Sequence, residues 1–330
     1  MDDLICPLTK RPLRRDGNAL IRDDGAAYPI VNGIPVLMGP EILHAAAPDK
    51  GGFYAEAYAE AEFYNHQARD TAALVTAGDM TTIHAEGIRF LESIRQLPPP
   101  FPDCRWLCAR MDLGAQWDCY RHIGDVQGQR VLQLGGTGLV AVSLMLTGAA
   151  SATLLTPMLC EAELALAMAD RCGVKLRCIV AIAEQIPLQD DSIDAAYSGG
   201  CVHHMTTELA FPEVARVLAP GGRFAALEPW RAPFYSIGTK VFGKREANPF
   251  CRPITRERAA PMFKAFEDAK VVQHGTFTRY PMLALEKLGV LFPLEIARRV
   301  GIADDGLASV VGLRRFGSSV ALLARKHQAS

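Results

Sequence analysis

The 330-residue sequence has no uninterrupted apolar run long enough to span a bilayer, and neither sign of charge is in excess. Its formal net charge of −1 gives no electrostatic reason to expect a nucleic acid or an anionic membrane as a partner. The first residues, MDDLICPLTKRPLRRDG, are charged and interrupted by prolines, unlike a signal peptide. We therefore expect a cytoplasmic protein with no membrane or nucleic-acid partner, and the sequence leaves its oligomeric state open.

CxxC pairs are also absent, although the chain has nine cysteines. An odd number without regular spacing argues against a secreted disulfide framework. Cys104 and Cys108 are four positions apart and would share one face of a helix, but structural zinc needs four ligands. We expect buried or unreactive thiols and no metal site.

Residues 1–40 read as short strands and turns, with a hairpin signal at Asn32-Gly33. The segment YPIVNGIPVL and the single knuckle CPLT resemble the small zinc-ribbon-like domain of tRNA-methyltransferase activator proteins. In that family two CxxC-type knuckles bind the metal. Here Thr9 replaces one cysteine beside Cys6, and the second knuckle reads RDDG, so we expect the fold to persist without metal ligands.

Residues 41–125 are rich in alanine and aromatic residues and read as a helical cap. A stiff break, LPPPFPD, interrupts the pattern at 97–103. The cap has two interpretations: an aromatic stripe that packs on the rest of the chain, or a lid that contacts substrate. The candidate contacts are Tyr54, Tyr58, Tyr64, Asn65 and His66.

Residues 126–330 alternate strand and helix patterns, which is typical of a parallel α/β sheet. Strands are predicted at VLQLGG, SATLLT, LRCIVA, IDAAYS, GRFAALEP, AKVVQHGTF and SSVALLARK, and helices over Cys160–Cys172 and Phe211–Leu218. An irregular insert at about 230–268 would lie near the carboxyl ends of the strands, where open α/β sheets bind ligands.

Three motifs follow one another at 131–138, 183–205 and 213–229: VLQLGGTG, AEQIPLQDDSIDAAYSGGCVHHM and EVARVLAPGGRFAALEP. Together they resemble class I S-adenosylmethionine (SAM)-dependent methyltransferases, particularly the branch with quinone-biosynthesis enzymes. The family motifs read VLDLGCGTG, DAExLPFxDxSFDxVxSxxVLHH and ExxRVLKPGGxxxxxEP. The resemblance covers about residues 126–230. It implies a Rossmann-like, mostly parallel seven-stranded sheet with helices on both faces, and SAM as cofactor.

Glycines in VLQLGGTG let the backbone approach a ligand closely, and the N–H groups at the start of the next helix suit a polar tail. In the family this loop holds the methionine part of SAM. The residues that the resemblance places around the cofactor are Gln133, Gly135, Gly136, Thr137, Gly138, Thr156, Pro157, Ala183, Glu184, Ser198 and Gly199.

Three of the family's acidic positions carry uncharged residues here. Gln133 stands near the methionine end, Thr156 at the ribose position and Ile182 at the adenine position, with Glu184 close to the last. Losing one such acid costs about 1.5 to 3 kcal/mol in a partly buried site. We expect SAM to bind more weakly or in a different pose.

Catalytic candidates are His203 and His204, in the turn after the fourth strand, and Tyr54 in the cap. A histidine is the usual general base near neutral pH, although in this family adjacent histidines also serve alignment alone. Glu228, at the mouth of the site, is a further candidate. A run of arginines is a candidate anion clamp or, alternatively, a solvated face: Arg252, Arg256 and Arg258. The end of a later strand is a candidate to reach the cleft, through His274, Thr276 and Tyr280.

Three functions remain open on the sequence. The first is methyl transfer to a small molecule. The second is attack at the methionine γ-carbon, by intramolecular cyclisation or aminocarboxypropyl transfer, which releases methylthioadenosine. The third is a methyltransferase-like binding subunit without catalysis. The intact glycine loop argues against the third, whereas the loss of three acids favours the last two.

Overall fold

The computed structural model describes residues 4–38, 82–95, 102–233, 252–290 and 293–328. Tyr54 and the other aromatic candidates of the predicted cap lie outside these ranges, so their contribution to a site remains a prediction. Within the described ranges, no helix combines the length and the apolar character needed to cross a membrane.

A small antiparallel sheet comes first, in the order β1-β2-β3-β4. Its predicted hairpin is confirmed, because Asn32 and Gly33 take φ values of 50° and 81°, the left-handed region that such a two-residue turn requires. The Sγ atom of Cys6 accepts a hydrogen bond from the backbone N–H of Thr9 at 3.4 Å. The strands are β1 (Arg14–Asp16), β2 (Ala19–Ile21), β3 (Ala27–Val31) and β4 (Ile34–Pro35).

A seven-stranded sheet follows in the order β10-β11-β9-β8-β5-β6-β7. Strands β5 to β9 are parallel, β11 is antiparallel to both of its neighbours, and all seven strands lie on the predicted apolar runs. Their bounds are β5 (Arg130–Leu134), β6 (Ser151–Thr156), β7 (Arg177–Val180), β8 (Ile193–Gly199), β9 (Leu218–Pro229), β10 (Asp268–His274) and β11 (Ser319–Arg325). The predicted Rossmann-like sheet is confirmed.

Helices cover both faces of this sheet. The helix predicted over Phe211–Leu218 begins earlier and ends one residue sooner, because Leu218 already pairs with Ile193 on β8 as the first residue of β9. The helices are α1 (Thr82–Ile94), α2 (Leu113–Ile123), α3 (Leu139–Leu146), α4 (Leu159–Cys172), α5 (Thr207–Val217), α6 (Arg256–Ala265), α7 (Arg279–Lys287) and α8 (Leu294–Val310).

The two faces of the sheet carry different layers. On one face, α1, α2, α3 and α8 contribute to a core that includes Trp106, Tyr120 and Tyr197, all buried. On the other face, α5 and α6 pack in one core with Leu20 of the small sheet and with Leu37, which follows it, and both leucines are buried. Because the small sheet shares this core, it stabilises the large sheet directly.

The chain after β4 also covers the open edge of the large sheet. Val36 forms a parallel bridge with Val180 at the end of β7, and the N–H of Leu37 donates to the carbonyl of Val180 at 2.8 Å. An ion pair between Lys10 and Glu213, 2.6 Å from Nζ to Oε2, adds a second attachment. An exposed strand edge invites aggregation, and here the chain's own first segment protects it.

Leu37→Ala tests this shared core. Truncating a fully buried leucine leaves a cavity, so we expect the free energy of unfolding to fall by about 2 to 5 kcal/mol in urea titration. The control is Leu288→Ala, because Leu288 is 77% exposed and its loss should change little. Equal effects of the two substitutions would contradict a joint core.

Candidate functional site

The ligand edge, defined here as the edge where β5 to β9 end, contains the point where the strand order reverses. From β5 the chain proceeds through β6 and β7 on one side, whereas β8 and β9 lie on the other. Ligands bind in the crevice at such a switch point because the loops after neighbouring strands separate there. The glycine loop after β5 therefore lies at the site that the topology predicts.

The glycine loop turns sharply between β5 and α3. Gly135, Gly136 and Gly138 have φ values of 70°, 75° and 80°, which side-chain-bearing residues rarely adopt. A Cβ on Gly138 would lie 2.4 Å from the Cβ of Ala165, so this glycine lets α4 pack closely on the loop. A Cβ on Gly136 would meet nothing nearer than 3.5 Å. Gly136 thus leaves the more open surface for a ligand.

Gln133 braces the loop from inside. Its Oε1 accepts from the backbone N–H of Ala141 at 2.6 Å, and its Nε2 donates to the carbonyl of Gly135 at 2.8 Å. The side chain is buried, so both bonds are shielded from water. A carboxylate accepts but does not donate, so the amide supports this loop in a way that an acid does not.

Thr156, at the carboxyl end of β6, is hydrogen-bonded to an acidic side chain of the next helix. Its Oγ1 donates to Oε2 of Glu161 at 2.5 Å. Glu161 lies in the first turn of α4, where the helix dipole favours a negative charge. Burial raises the pKa of Glu161, and the hydrogen bond from Thr156 opposes that shift. The expected acid at the end of β6 is therefore absent, but a carboxyl group from the first turn of α4 lies within hydrogen-bond distance of the residue at that position.

Glu161 was missed by the sequence analysis. Burial raises the pKa of Cys201, and the charges of Glu228 and Glu161 add to that shift. The Sγ of Cys201 lies 2.5 Å from where a Cβ on Gly135 would stand, so the thiol packs directly on the glycine loop. With its raised pKa, Cys201 is a neutral packing group and not a nucleophile.

At the adenine position, the contacts of the described residues show no substitute acid. Ile182 packs against the core below, whereas Oε1 of the buried Glu184 accepts from the backbone N–H of Thr206 at 2.7 Å. Glu184 therefore fastens the start of α5. This contact gives no support to the prediction that Glu184 replaces the missing acid. Ala183 is apolar and buried, and Ile182 is apolar and partly buried.

A buried hydroxyl without a partner lies at the end of β8. In the described part of the chain, Ser198 Oγ is fully enclosed and has no hydrogen-bond partner. Native proteins rarely leave such a buried group unsatisfied, so this hydroxyl is a local exception to the usual pairing. Gly199 follows on the same strand, and a Cβ there would crowd the ring of Tyr197 at 3.2 Å.

The histidine turn is held by a buried carboxylate. Glu228, at the end of β9, accepts backbone N–H bonds from Cys201, Val202 and His203 at 3.0, 2.8 and 3.2 Å. It also pairs with the Nδ1 of His203 at 2.8 Å. A carboxylate on Nδ1 fixes the orientation and tautomer of an imidazole ring.

His204 stacks beside His203, with ring centroids 4.0 Å apart. Loss of water and the neighbouring ring lower the pKa of His204 to about 4, so this side chain is neutral at pH 7. Of the two candidates, His203 is therefore the one whose ring is held in a fixed orientation by a carboxylate.

The arginine clamp expected near 252–258 is a different structure. Arg258 donates to the carbonyls of His203 and Met205 at 3.2 and 2.9 Å, which binds α6 to the histidine turn. Arg252 and Arg256 lie at the surface. Arg258 therefore supports the backbone of the histidine turn, and the exposure of Arg252 and Arg256 agrees with a solvated face, the alternative to an anion clamp.

His274 does not reach the cleft, contrary to expectation. It is 2% exposed and lies between Asp305 of α8, 2.8 Å from Nδ1, and Asp118 of α2, 3.2 Å from Nε2. Burial favours the neutral ring, but the two carboxylates prevail and raise the pKa of His274. This histidine joins α2, β10 and α8, so its role is structural.

Comparison with known proteins supports the geometry. Residues 132–226 match the family model described as a methyltransferase domain. A stretch of 117 residues is 38% identical to the ubiquinone/menaquinone biosynthesis C-methyltransferase UbiE of Rubrivivax gelatinosus and covers 33% of this chain and 45% of that protein. The chain thus spans less than half the length of this methyltransferase relative.

A second relative is a short protein with no activity in its name. A stretch of 49 residues is 49% identical to a UPF0434 protein of Vesicomyosocius okutanii and covers 14% of this chain and 78% of that protein. Among solved structures, geranyl diphosphate C-methyltransferase from Streptomyces coelicolor, in complex with S-adenosyl-L-homocysteine, is 17% identical at a TM-score of 0.49. The alignment covers 65% of this chain and 78% of that one.

The His274 cluster predicts a pH dependence of stability. Because the folded pKa is raised, its stabilisation is complete below the unfolded value of about 6.5 and is lost as pH rises through the folded pKa. We expect His274→Gln to reduce the free energy of unfolding by about 3 kcal/mol near pH 6, and by less at alkaline pH. Urea titrations at several pH values measure this difference. His327→Gln, at an exposed histidine, is the control; a pH-independent cost for His274→Gln would refute the prediction.

Proposed function

We propose that the chain is a SAM-dependent methyltransferase acting on a small molecule, because residues 132–226 match the family model described as a methyltransferase domain. The observation that carries the proposal is the glycine loop, open at Gly136, with carboxylates on both sides of it. The UbiE relative is named for C-methylation in quinone biosynthesis, which supports a small-molecule acceptor.

The residues at the ligand edge fit SAM. Gly136 leaves space at the loop, and the N–H groups at the start of α3 suit the carboxylate of a methionine tail. When bound, SAM supplies an electrophilic methyl carbon on a sulfonium. The loop's part is to hold the tail and to fix the direction from which an acceptor approaches.

We assign the ribose contact to Glu161. Thr156 stands at the position of the usual acid, and its hydroxyl engages Oε2 of Glu161. A carboxylate has about four acceptor sites, so one donor leaves others for two ribose hydroxyls. Thr156 and Glu161 together then do what one acid does in the family. The methionine-end position, at Gln133, and the adenine position, at Ile182, remain without a charge.

His203 is the proposed proton acceptor. Glu228 binds its Nδ1, which directs Nε2 to the opposite side of the ring. If the acceptor must lose a proton, His203 takes it and the buried carboxylate stabilises the resulting imidazolium. The neighbouring His204, with its low pKa, holds a proton poorly at neutral pH.

The proposal is tested by titrating the full chain with SAM in a calorimeter and by analysing the cleaved products by mass. We expect micromolar binding, and S-adenosylhomocysteine as the product once an acceptor is supplied. Methylthioadenosine as the main product would replace methyl transfer by attack at the γ-carbon. Absence of binding at two temperatures would overturn the proposal.

Glu161→Gln tests the ribose assignment. Removing the charge from a hydrogen bond to a ribose hydroxyl costs about 1.5 to 3 kcal/mol, so we expect the Kd for SAM to rise roughly 10- to 100-fold. Calorimetry measures the affinity. The matched control is Glu163→Gln on the same helix, because Glu163 contacts Asn32 at the surface. Equal Kd values for the two variants would exclude the assignment.

His203→Ala tests the proton acceptor. Loss of a general base lowers kcat by about 100- to 10,000-fold, while the Kd for SAM should stay nearly constant. His204→Ala, which removes the adjacent ring, should have a much smaller effect on kcat. If both substitutions reduce kcat equally, the histidines act only by packing.

A further inference from the structure

The edge of the large sheet opposite the ligand edge contains a cavity of about 330 Å³. It lies where β8 and β9 begin and where the antiparallel β11 ends, and it is lined by Gln129, Asp194, the turn at 219–222, Arg223 and Arg325. Small-molecule pockets span about 300 to 1,000 Å³, so this space is large enough for a small metabolite. We call it the arginine cavity.

Two arginines occupy opposite positions on neighbouring strands at this cavity. Arg223 of β9 pairs in register with Arg325 of β11, so the two side chains leave the same face of the sheet. The Cβ atoms of directly opposite residues are about 5 Å apart, and like charges in such a pair are destabilising. The two guanidinium groups therefore repel each other unless a negative charge is shared between them.

The acidic residues nearby are engaged elsewhere. Asp194 accepts from Arg130 through both carboxylate oxygens, at 2.7 Å from Nη2 to Oδ1 and at 3.0 Å from Nε to Oδ2. Asp268, opposite Arg325 on β10, pairs with Lys270 at 3.5 Å. Within the part of the chain that the structure describes, neither arginine of the cavity forms an ion pair with a carboxylate.

The electrostatic surroundings of Arg223 are net unfavourable for a further positive charge. Its Nη2 donates to Oε1 of the uncharged Gln129 at 3.4 Å, a long hydrogen bond. Loss of water and the charge of Arg325 lower the pKa of Arg223, and Asp125 opposes that shift only in part. Burial lowers the pKa of His122, and both arginines add to that shift. Positive charge in this region thus exceeds what the neighbouring acids neutralise.

The carboxyl end of α2 accounts for only part of this charge. A Cβ on Gly124, which follows α2, would lie 2.8 Å from Nη1 of Arg223, so this guanidinium lies beside the negative end of the helix dipole. That end carries the equivalent of about half an elementary charge, which does not neutralise two guanidinium groups. Arg325 is exposed at the end of β11, so a ligand can reach it from solvent.

We propose that the arginine cavity binds the phosphate group of a small organic phosphate between Arg223 and Arg325. A guanidinium group donates paired N–H bonds that match the spacing of phosphate oxygens, and a dianion removes the repulsion between the two arginines. This site is separate from the ligand edge, because it lies at the other ends of the same strands.

Thermal unfolding and calorimetry of the full chain, with inorganic phosphate as the probe at low ionic strength, test the proposal. We expect phosphate to raise the melting temperature more than sodium chloride of equal ionic strength, because it binds the folded state. Arg223→Gln with Arg325→Gln should raise the Kd for phosphate about 10-fold or more. The control is Arg14→Gln with Arg299→Gln, which removes the same charge at side chains that are 70% and 81% exposed and should leave the Kd unchanged.

Three results would overturn the proposal: equal effects of phosphate and chloride on the melting temperature, a Kd for phosphate that the substitutions in the cavity leave unchanged, or succinate binding about 10-fold more tightly than phosphate, which would indicate a dicarboxylate site. Arg325→Gln alone tests the repulsion. Because it removes one of two like charges, we expect the melting temperature in phosphate-free buffer to stay equal or to rise. A clear fall would contradict the unpaired state of the two arginines.

Discussion

Gln133 joins the carbonyl of Gly135 to the N–H of Ala141, and these two buried bonds hold the glycine loop against the first turn of α3. The contacts around the loop depend on that shape. Cys201 packs on Gly135, and the close approach at Gly138 lets α4 lie against the loop. Because α4 carries Glu161, the brace also fixes where that carboxylate stands. One side-chain amide therefore positions groups from three segments of the chain.

Negative charge reaches the ligand edge by two indirect routes. Glu161 comes from a helix and is held by a hydroxyl on the neighbouring strand, whereas Glu228 comes from β9 and is held by three backbone N–H groups. The bonds to Glu228 and the single bond to Glu161 oppose the cost of burying each carboxyl group, although for Glu161 burial prevails and its pKa is raised. The site thus keeps two charged groups although the strand ends after β5 and β6 are neutral.

Much of the fold was predictable, because the strands of a parallel sheet are continuous apolar runs and the Asn32-Gly33 turn has a strong local preference. The glycine loop and the histidine turn were predictable by resemblance. Contacts between distant segments were not. Nothing local shows that His274 pairs with Asp118 and Asp305, or that Thr156 engages Glu161. An acid in the first turn after LLTPM was the one available signal for Glu161.

The central claim is that Glu161, held by Thr156, takes the place of the strand-end acid toward the cofactor's ribose. A crystal structure with S-adenosylhomocysteine tests it most directly through one distance, from the Glu161 carboxylate to the ribose hydroxyls. We expect a hydrogen bond of about 2.7 Å between the Glu161 carboxylate and a ribose hydroxyl, with the amino-acid tail of the ligand beside Gly136. Ribose hydroxyls that contact only water or another side chain, with Glu161 still paired to Thr156, would contradict it.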